Sequence, residues 1–390
     1  MHVAIDASSW DNERGFGRFT RSLVGALAAR QTGFSYTLLF DRAPARPVPD
    51  GVTAIIAGAE RSMSEASSGA GARAGADMWT LSRAAARLKS DLFFFPASYS
   101  YYPILNRVPK LVCFHDTIPE RFPDLVFPTR RNFRLWQIKT WMAKTQARRI
   151  LTISDASAND LSQILNIGRD RIDLTTEGAH ETFHPITDAG LLAAAREHHG
   201  ISPDDQVLIY IGGFNRHKNV LRLIEAMPAI LTSAPKTRLV IVGRTSGARF
   251  WDNVDELKSG AANDARASGR ISFTGEISDE EMAQLLNSAS ALVMPSLWEG
   301  FGLPALEAMA CGTPVLASDR GSLPEVVGDG GLLFDPENTA DIAAKATQLL
   351  TDPALQSRLA GQALARAGTF TWDKGAALAE ASFRKTAGKT

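Results

Sequence analysis

Glu299 and Glu307 stand with seven residues between them, one on each side of the loop Gly300-Phe301-Gly302-Leu303. Pro304 suits the first position of a helix, where its missing N–H costs nothing. Ala305 to Ala310 are good helix formers, and Gly312 and Pro314 end the helix. Free N–H groups at a helix start, beside glycine backbone, make a site for an anion such as phosphate. The two acids repel phosphate, so they need another partner. Sugar hydroxyls fit, because a carboxylate accepts hydrogen bonds from vicinal hydroxyls. The loop therefore reads as holding a diphosphate with a hydroxylated ring on either side, which is a nucleotide sugar. Each acid alone has a plainer reading: Glu307 favours the helix N-terminus and Glu299 is solvated. The glycines, the proline and both acids together favour the site.

Further groups lie at strand ends. The apolar run 206–213 reads as a strand into a glycine turn. Arg216, Lys218 and the helix Val220 to Leu231 follow it. Basic groups at a strand-to-helix turn are placed for phosphate. Arg244 follows the strand 239–243 and offers a second cation; Arg216 and Arg244 read equally as solvated surface residues. The strand from Lys110 ends in His115-Asp116, and parallel sheets bind ligands outside the carboxyl ends of their strands. A lone histidine is more often structural, and Asp116 reads as fixing it or capping the loop. After the strand 91–96 come Tyr99, Tyr101 and Tyr102, which read as loop packing or as a platform for a sugar's C–H face. Gly15 and Gly17 open an amphipathic helix after the first strand, His2 to Asp6. They lie too far beyond that strand, and Thr20 replaces the third glycine, for a dinucleotide fingerprint.

These groups need a scaffold of strand ends. Strands and helices alternate along the 390 residues, which predicts an α/β protein of two doubly wound domains facing a cleft. The expected division is 1–190, 200–370 and a terminal helix over 371–390, with the boundary in the polar segment 186–204. Residues 58–77 are rich in alanine, glycine and serine and read as a mobile loop. Residues 130–149 hold seven Lys/Arg and no acid, interspersed with Leu135, Trp136, Ile138, Trp141 and Met142. They read as a basic amphipathic helix on an anionic membrane surface. The plainer alternative packs the tryptophans into the core. Formal net charge is zero, which excludes nucleic-acid binding by charge. Residues 1–200 hold 24 Lys/Arg against 20 Asp/Glu, and the rest 18 against 22. Two cysteines without metal-ligand spacing suggest a reducing compartment. No signal peptide or bilayer-length apolar run is visible, so the expected location is cytoplasmic, with peripheral membrane contact.

The stretch from Glu299 to Val315 closely resembles the E-x7-E motif of retaining GT-B glycosyltransferases of family 4. The resemblance is strongest over 206–335 and extends to nearly the whole chain. It implies transfer of a hexose from a nucleotide diphosphate sugar to a saccharide or lipid-linked saccharide, with retention, and a terminal helix crossing back to the first domain. It implies that Glu299 holds the donor sugar, Glu307 the ribose and Lys218 the diphosphate, while His115 faces the transferred sugar. Gly15 and Gly17 fall on the N-terminal glycine loop under the donor or near the acceptor, and Ile277 lies where the nucleobase is read. One departure is Gly213, where many members carry a second cation; Arg216 or Arg244 would replace it. The chain has no Asp-x-Asp, so the expected mechanism uses no metal and no cofactor. General likeness to bacterial surface-polysaccharide mannosyltransferases points to GDP-mannose. The rival classes are a nucleotide-sugar epimerase or phosphorylase on the same fold, and a non-catalytic nucleotide-sugar-binding protein.

Overall fold

A computed structural model describes residues 1–12, 15–60, 75–245 and 253–389. Most of the stretch 58–77 lies outside the described residues. Its last three residues correct the loop reading, because Gly75 to Asp77 open a helix. The chain divides into two compact units, Met1–Glu177 with Thr371–Thr390, and Gly178–Phe370.

The first unit is built on a parallel sheet of β1 (His2–Asp6), β2 (Ser35–Phe40), β3 (Thr53–Ile56), β4 (Leu92–Phe95), β5 (Lys110–Cys113), β6 (Ala147–Thr152) and β7 (Ile172–Leu174). Their order is β3-β2-β1-β4-β5-β6-β7, and every neighbouring pair is parallel. All four residues of β4 are buried, as expected of a strand covered on both faces. The edge strand β3 is mostly exposed and has no counterpart in the sequence reading. Around the sheet lie α1 (Gly15–Ala29), α2 (Gly75–Arg87), the short α3 (Ile118–Arg121) and α4 (Pro123–Val126), α5 (Arg130–Gln146) and α6 (Asp155–Leu165). The segment after His115 is thus two helical turns, each with a proline at its start, where proline is preorganised.

The second unit carries β8 (Gln206–Ile211), β9 (Thr237–Val242), β10 (Ile271–Gly275), β11 (Ala291–Met294), β12 (Val315–Ser318) and β13 (Gly331–Phe334). The order is β10-β9-β8-β11-β12-β13, again parallel throughout. Its helices are α7 (Ala189–His198), α8 (Val220–Ser233), α9 (Val254–Asn263), α10 (Asp279–Ser288), α11 (Leu303–Ala310), α12 (Leu323–Val327), α13 (Thr339–Thr351) and α14 (Pro353–Ala367). Leu223, Met227, Leu239, Val293 and Leu349 belong to one buried cluster. Each contributes about 1.5–3 kcal/mol by leaving water. The two doubly wound parallel α/β sheets are those the alternation of strands and helices predicts.

The last helix, α15 (Trp372–Ala387), belongs to the first unit. Its Ala376, Ala379 and Phe383 are buried. Glu380 accepts from Thr32, from the Tyr36 hydroxyl at 3.3 Å and from Arg30 at 3.4 Å. Asp173 accepts from Arg149 at 2.6 Å, and from Ser382 and Lys385 of α15 at 2.8 and 3.0 Å.

Candidate functional site

In the second unit the strand order reverses between β8 and β11. The loops leaving those two strands frame the crevice where a doubly wound sheet binds its ligand. The loop after β8 forms a 3-10 turn at Arg216–Lys218. Asn219 then takes a left-handed conformation at φ 58°, which asparagine tolerates. Its side-chain amide donates to Pro295 O and Pro336 O, at 2.9 and 2.8 Å. Leu297 N donates to His217 O at 2.8 Å. The two loops are thereby fixed to each other.

Lys218 Nζ donates to both oxygens of Glu299, at 2.8 and 2.9 Å. Ser296 Oγ donates to Glu299 Oε1 at 2.6 Å. Burial pushes the Glu299 carboxyl up, but Lys218 and Ser296 outweigh it and hold the group below the usual carboxylate range. An ammonium has three protons, and Glu299 takes two of those on Lys218. The backbone carbonyl of Glu299 accepts from Ser322 N and Oγ, at 3.2 and 3.1 Å. Gly321 lies so close that a Cβ there would fall 2.7 Å from Glu299 O. The following loop turns at Gly302, φ 100°, into α11. Phe301 is buried edge-on to Phe370, Gly300 is buried and Leu303 half-buried. Glu307 is 1% exposed on α11.

The two candidate second cations are on the surface of this unit. Arg216 pairs with Glu256 at 2.9 Å, and Arg244 with Glu276 at 3.0 Å. Exposed pairs are worth roughly 0–1 kcal/mol, so either opens at little cost. Ile277 follows Glu276, half-buried, just after the left-handed Gly275.

In the first unit the order reverses between β1 and β4. His115 follows the neighbouring β5 and is 8% exposed. One imidazole nitrogen, Nε2, lies 2.8 Å from Pro96 O. A carbonyl only accepts, so Nε2 carries the proton. Phe19 of α1 meets the ring edge-on at 4.6 Å. Burial, partly offset by the Pro96 bond, lowers the His115 pKa to about 4. The imidazole is therefore neutral at pH 7. Asp116 caps the loop, accepting from Ile118 N at 2.9 Å. Gly17 is packed against the preceding loop, where a Cβ would fall 2.0 Å from Asn12 O. Gly15 is exposed. Tyr101 and Tyr102 are buried, which is the loop-packing reading, whereas Tyr99 is half-buried.

The structure thus brings Lys218 and Glu299 together, with Glu307 on the helix that the same loop enters. His115, Gly15 and Gly17 belong to the other unit. The sequence reading gave no site role to Ser296, Asn219, His217 or Ser322. Ser296, three residues before Glu299, was the legible one. His217 is buried beside Lys218, with its pKa lowered to about 4 by burial and by the Lys218 charge. Its Nδ1 has no partner among the described residues.

Residues 193–366 match the family profile described as "Glycosyl transferases group 1". The chain is 32% identical over 264 residues to an O-antigen chain mannosyltransferase B of Escherichia coli, covering 67% of this chain and 66% of that protein. It is similar in fold to a sucrose-phosphate synthase from Thermosynechococcus elongatus, with TM-score 0.76, 21% identity and 99% and 98% of the two chains covered. Anabaena HepE in complex with UDP and glucose gives TM-score 0.76, 19% identity and 99% and 100% coverage. Both likenesses place the fold as GT-B.

Proposed function

We propose that the chain, whose residues 193–366 match the glycosyl transferases group 1 profile, is a retaining, family 4 glycosyltransferase. It moves a hexose, mannose from GDP-mannose, to a saccharide or lipid-linked saccharide during surface-polysaccharide assembly. The observation that carries this reading is the Lys218–Glu299 pair at the sheet's reversal point. Glu299, ionised and anchored by Ser296, accepts from sugar hydroxyls. Lys218 turns its remaining proton to the diphosphate. The N–H groups at the start of α11 add to this, and Glu307 takes the ribose. The bond from the anomeric carbon to the diphosphate oxygen breaks, and the acceptor oxygen bonds to that carbon. The acceptor's proton passes to the departing diphosphate. Lys218 and the helix N–H groups stabilise the charge that develops there, with no metal in the scheme. The mannosyl choice is supported by the likeness to the Escherichia coli relative.

The test is release of free mannose and GDP, or of a mannosylated product, from GDP-mannose with manno-oligosaccharide acceptors. Glu299→Ala and Lys218→Ala should each lower kcat/KM at least about a hundredfold, the scale of removing one stabilising group. Unchanged rates in both would sink the site assignment.

We also propose that the protein works on the cytoplasmic face of a membrane, held there through α5. Among the described residues no helix is long and apolar enough to cross a bilayer. However, Leu135, Ile138 and Trp141 are 53%, 55% and 58% exposed. At 100° per residue they share one face, with exposed Arg130, Arg131 and Arg134 beside them. Trp136, by contrast, is half-buried and donates to Glu120 Oε1 at 2.6 Å. The core-packing alternative thus does not describe Trp141.

A further inference from the structure

We infer that a row of half-buried rings in the first unit, Phe16, Tyr99, Trp136, Phe127 and Phe133, is the platform that binds the acceptor's pyranose rings. This rests on the glycosyltransferase reading above and specifies the acceptor side of it. Phe16 and Tyr99 stack with centroids 5.4 Å apart and planes at 10°. Tyr99 lies 5.0 Å from Trp136. Trp136 is 6.1 Å from Phe127, which is 5.4 Å from Phe133. The row draws on three separate segments: the start of α1, the loop after β4, and α5 with the turn before it.

Rings that serve only the core of this unit look different. Phe93, Phe95, Tyr101 and Tyr102 also pack ring on ring, but they are 0–2% exposed. All five members of the row keep part of their surface in water. Leaving five aromatic rings partly wet forgoes burial that the same unit achieves elsewhere. A ligand with apolar C–H faces recovers it.

The edges of the row carry hydrogen-bonding groups suited to hydroxyls. The Tyr99 hydroxyl lies 3.5 Å from Asp116 Oδ1. Glu120 is half-buried, accepting from Trp136 Nε1 and, at 3.3 Å, from Thr140. Lys139 donates to Tyr99 O and stands 5.5 Å from the Trp136 ring centroid. Apolar faces with a few charged and amide-like groups at their rim are the lining expected of a specific small-molecule site. One end of the row lies on α1, where Phe16 is followed by Phe19, whose ring meets His115 edge-on; the family resemblance sets His115 against the transferred sugar.

The experiment is saturation-transfer NMR on the full chain, with α-linked mannotriose and maltotriose as probes, beside acceptor KM in the transfer assay. Wild type should transfer saturation to pyranose ring protons of at least one probe. Tyr99→Ala and Phe16→Ala should weaken that binding, and raise acceptor KM, about tenfold, the scale of one lost ring contact. Tyr99→Phe should stay within about twofold, since it keeps the ring. Stabilisation by GDP should match wild type in all three, showing folded protein with an intact nucleotide site. Absence of saturation transfer from wild type to either probe overturns the platform. So does wild-type binding in folded Tyr99→Ala and Phe16→Ala proteins. Transfer that proceeds with acceptor KM unmoved by ring deletion leaves the transferase reading standing and removes the platform. Saccharide binding that depends on the rings, without transfer from any donor, does the reverse.

Discussion

At the scale of single residues, a buried ion pair sits at the centre of the second unit's candidate site. The Lys218 side chain is 23% exposed and that of Glu299 9%. Removing one member of a buried pair leaves the other charge uncompensated, which costs about 3 kcal/mol. Lys218→Met should therefore destabilise the protein by about that amount at pH 7. In the folded protein Glu299 lies below its ordinary 4.5, so the pair's contribution is present above that pH and lost as pH falls through the folded value. The gap between variant and wild type should narrow below about pH 4.5, as read by urea denaturation. A gap independent of pH would mean the pair contributes nothing by charge. His115 and His217 act in the same direction at higher pH. Both are buried neutral, lowered from 6.5 to about 4. Between those values the unfolded chain binds protons that the folded chain does not, so stability falls as pH drops from 6.5 towards 4. Each histidine should account for on the order of 2–3 kcal/mol of that loss. His217→Gln should flatten the melting temperature against pH over this window; a profile as steep as wild type would contradict the assignment. Glu299 and Lys218 were legible because their types recur beside glycines and at strand ends. His217 was not, because nothing in its own type or spacing separates a buried histidine from a solvated one.

At the scale of elements, strands buried on both faces announced themselves as apolar runs. Amphipathic helices did so by their period. What escaped were pieces whose existence depends on neighbours: the edge strand β3, exposed and four residues long, and α3 and α4, whose prolines read as loop. The face of a helix that meets water was also hidden. The sequence of α5 allowed either Trp136 or Trp141 to be buried, and only packing separates them. Replacing Leu135, Ile138 and Trp141 together by glutamate should abolish flotation with vesicles rich in phosphatidylglycerol. Replacing Arg131 and Arg134 should weaken it by about 1 kcal/mol per charge, more at low salt than high. Flotation equal to wild type for the triple variant would remove α5 from the membrane. The last helix gives a second element-scale expectation. Phe383 packs against Phe94 at 5.2 Å, and a Cβ on Gly375 would fall 2.4 Å from Thr176 O. A chain ending at Phe370 should lose the cooperative unfolding transition of the first unit, measured by calorimetry. Survival of both transitions would show that α15 only decorates a sheet able to stand alone.

At the scale of the whole molecule, the two units share one architecture and carry different groups beyond the carboxyl ends of their strands. The second has an ammonium, an ionised carboxylate and a helix start. The first has a neutral imidazole and aromatic rings. On the proposed reading that asymmetry separates charge handling from shape recognition, and it explains why the proposed donor site is the more legible of the two. Phosphate chemistry demands particular residue types at fixed spacing, whereas a saccharide face can be met by rings from any segments the fold brings together. The same asymmetry makes nucleotide binding the decisive measurement. A ligand at 100 times its dissociation constant stabilises the folded state by about 2.7 kcal/mol. GDP, UDP, dTDP, ADP and CDP at millimolar concentration should separate in melting temperature, with GDP giving the largest rise. Lys218→Met should abolish that rise, because the diphosphate loses its cation. UDP standing out instead would replace the donor while leaving the site. No rise with any of the five, in protein that melts cooperatively, would remove the diphosphate from the Glu299 loop and the transferase reading with it.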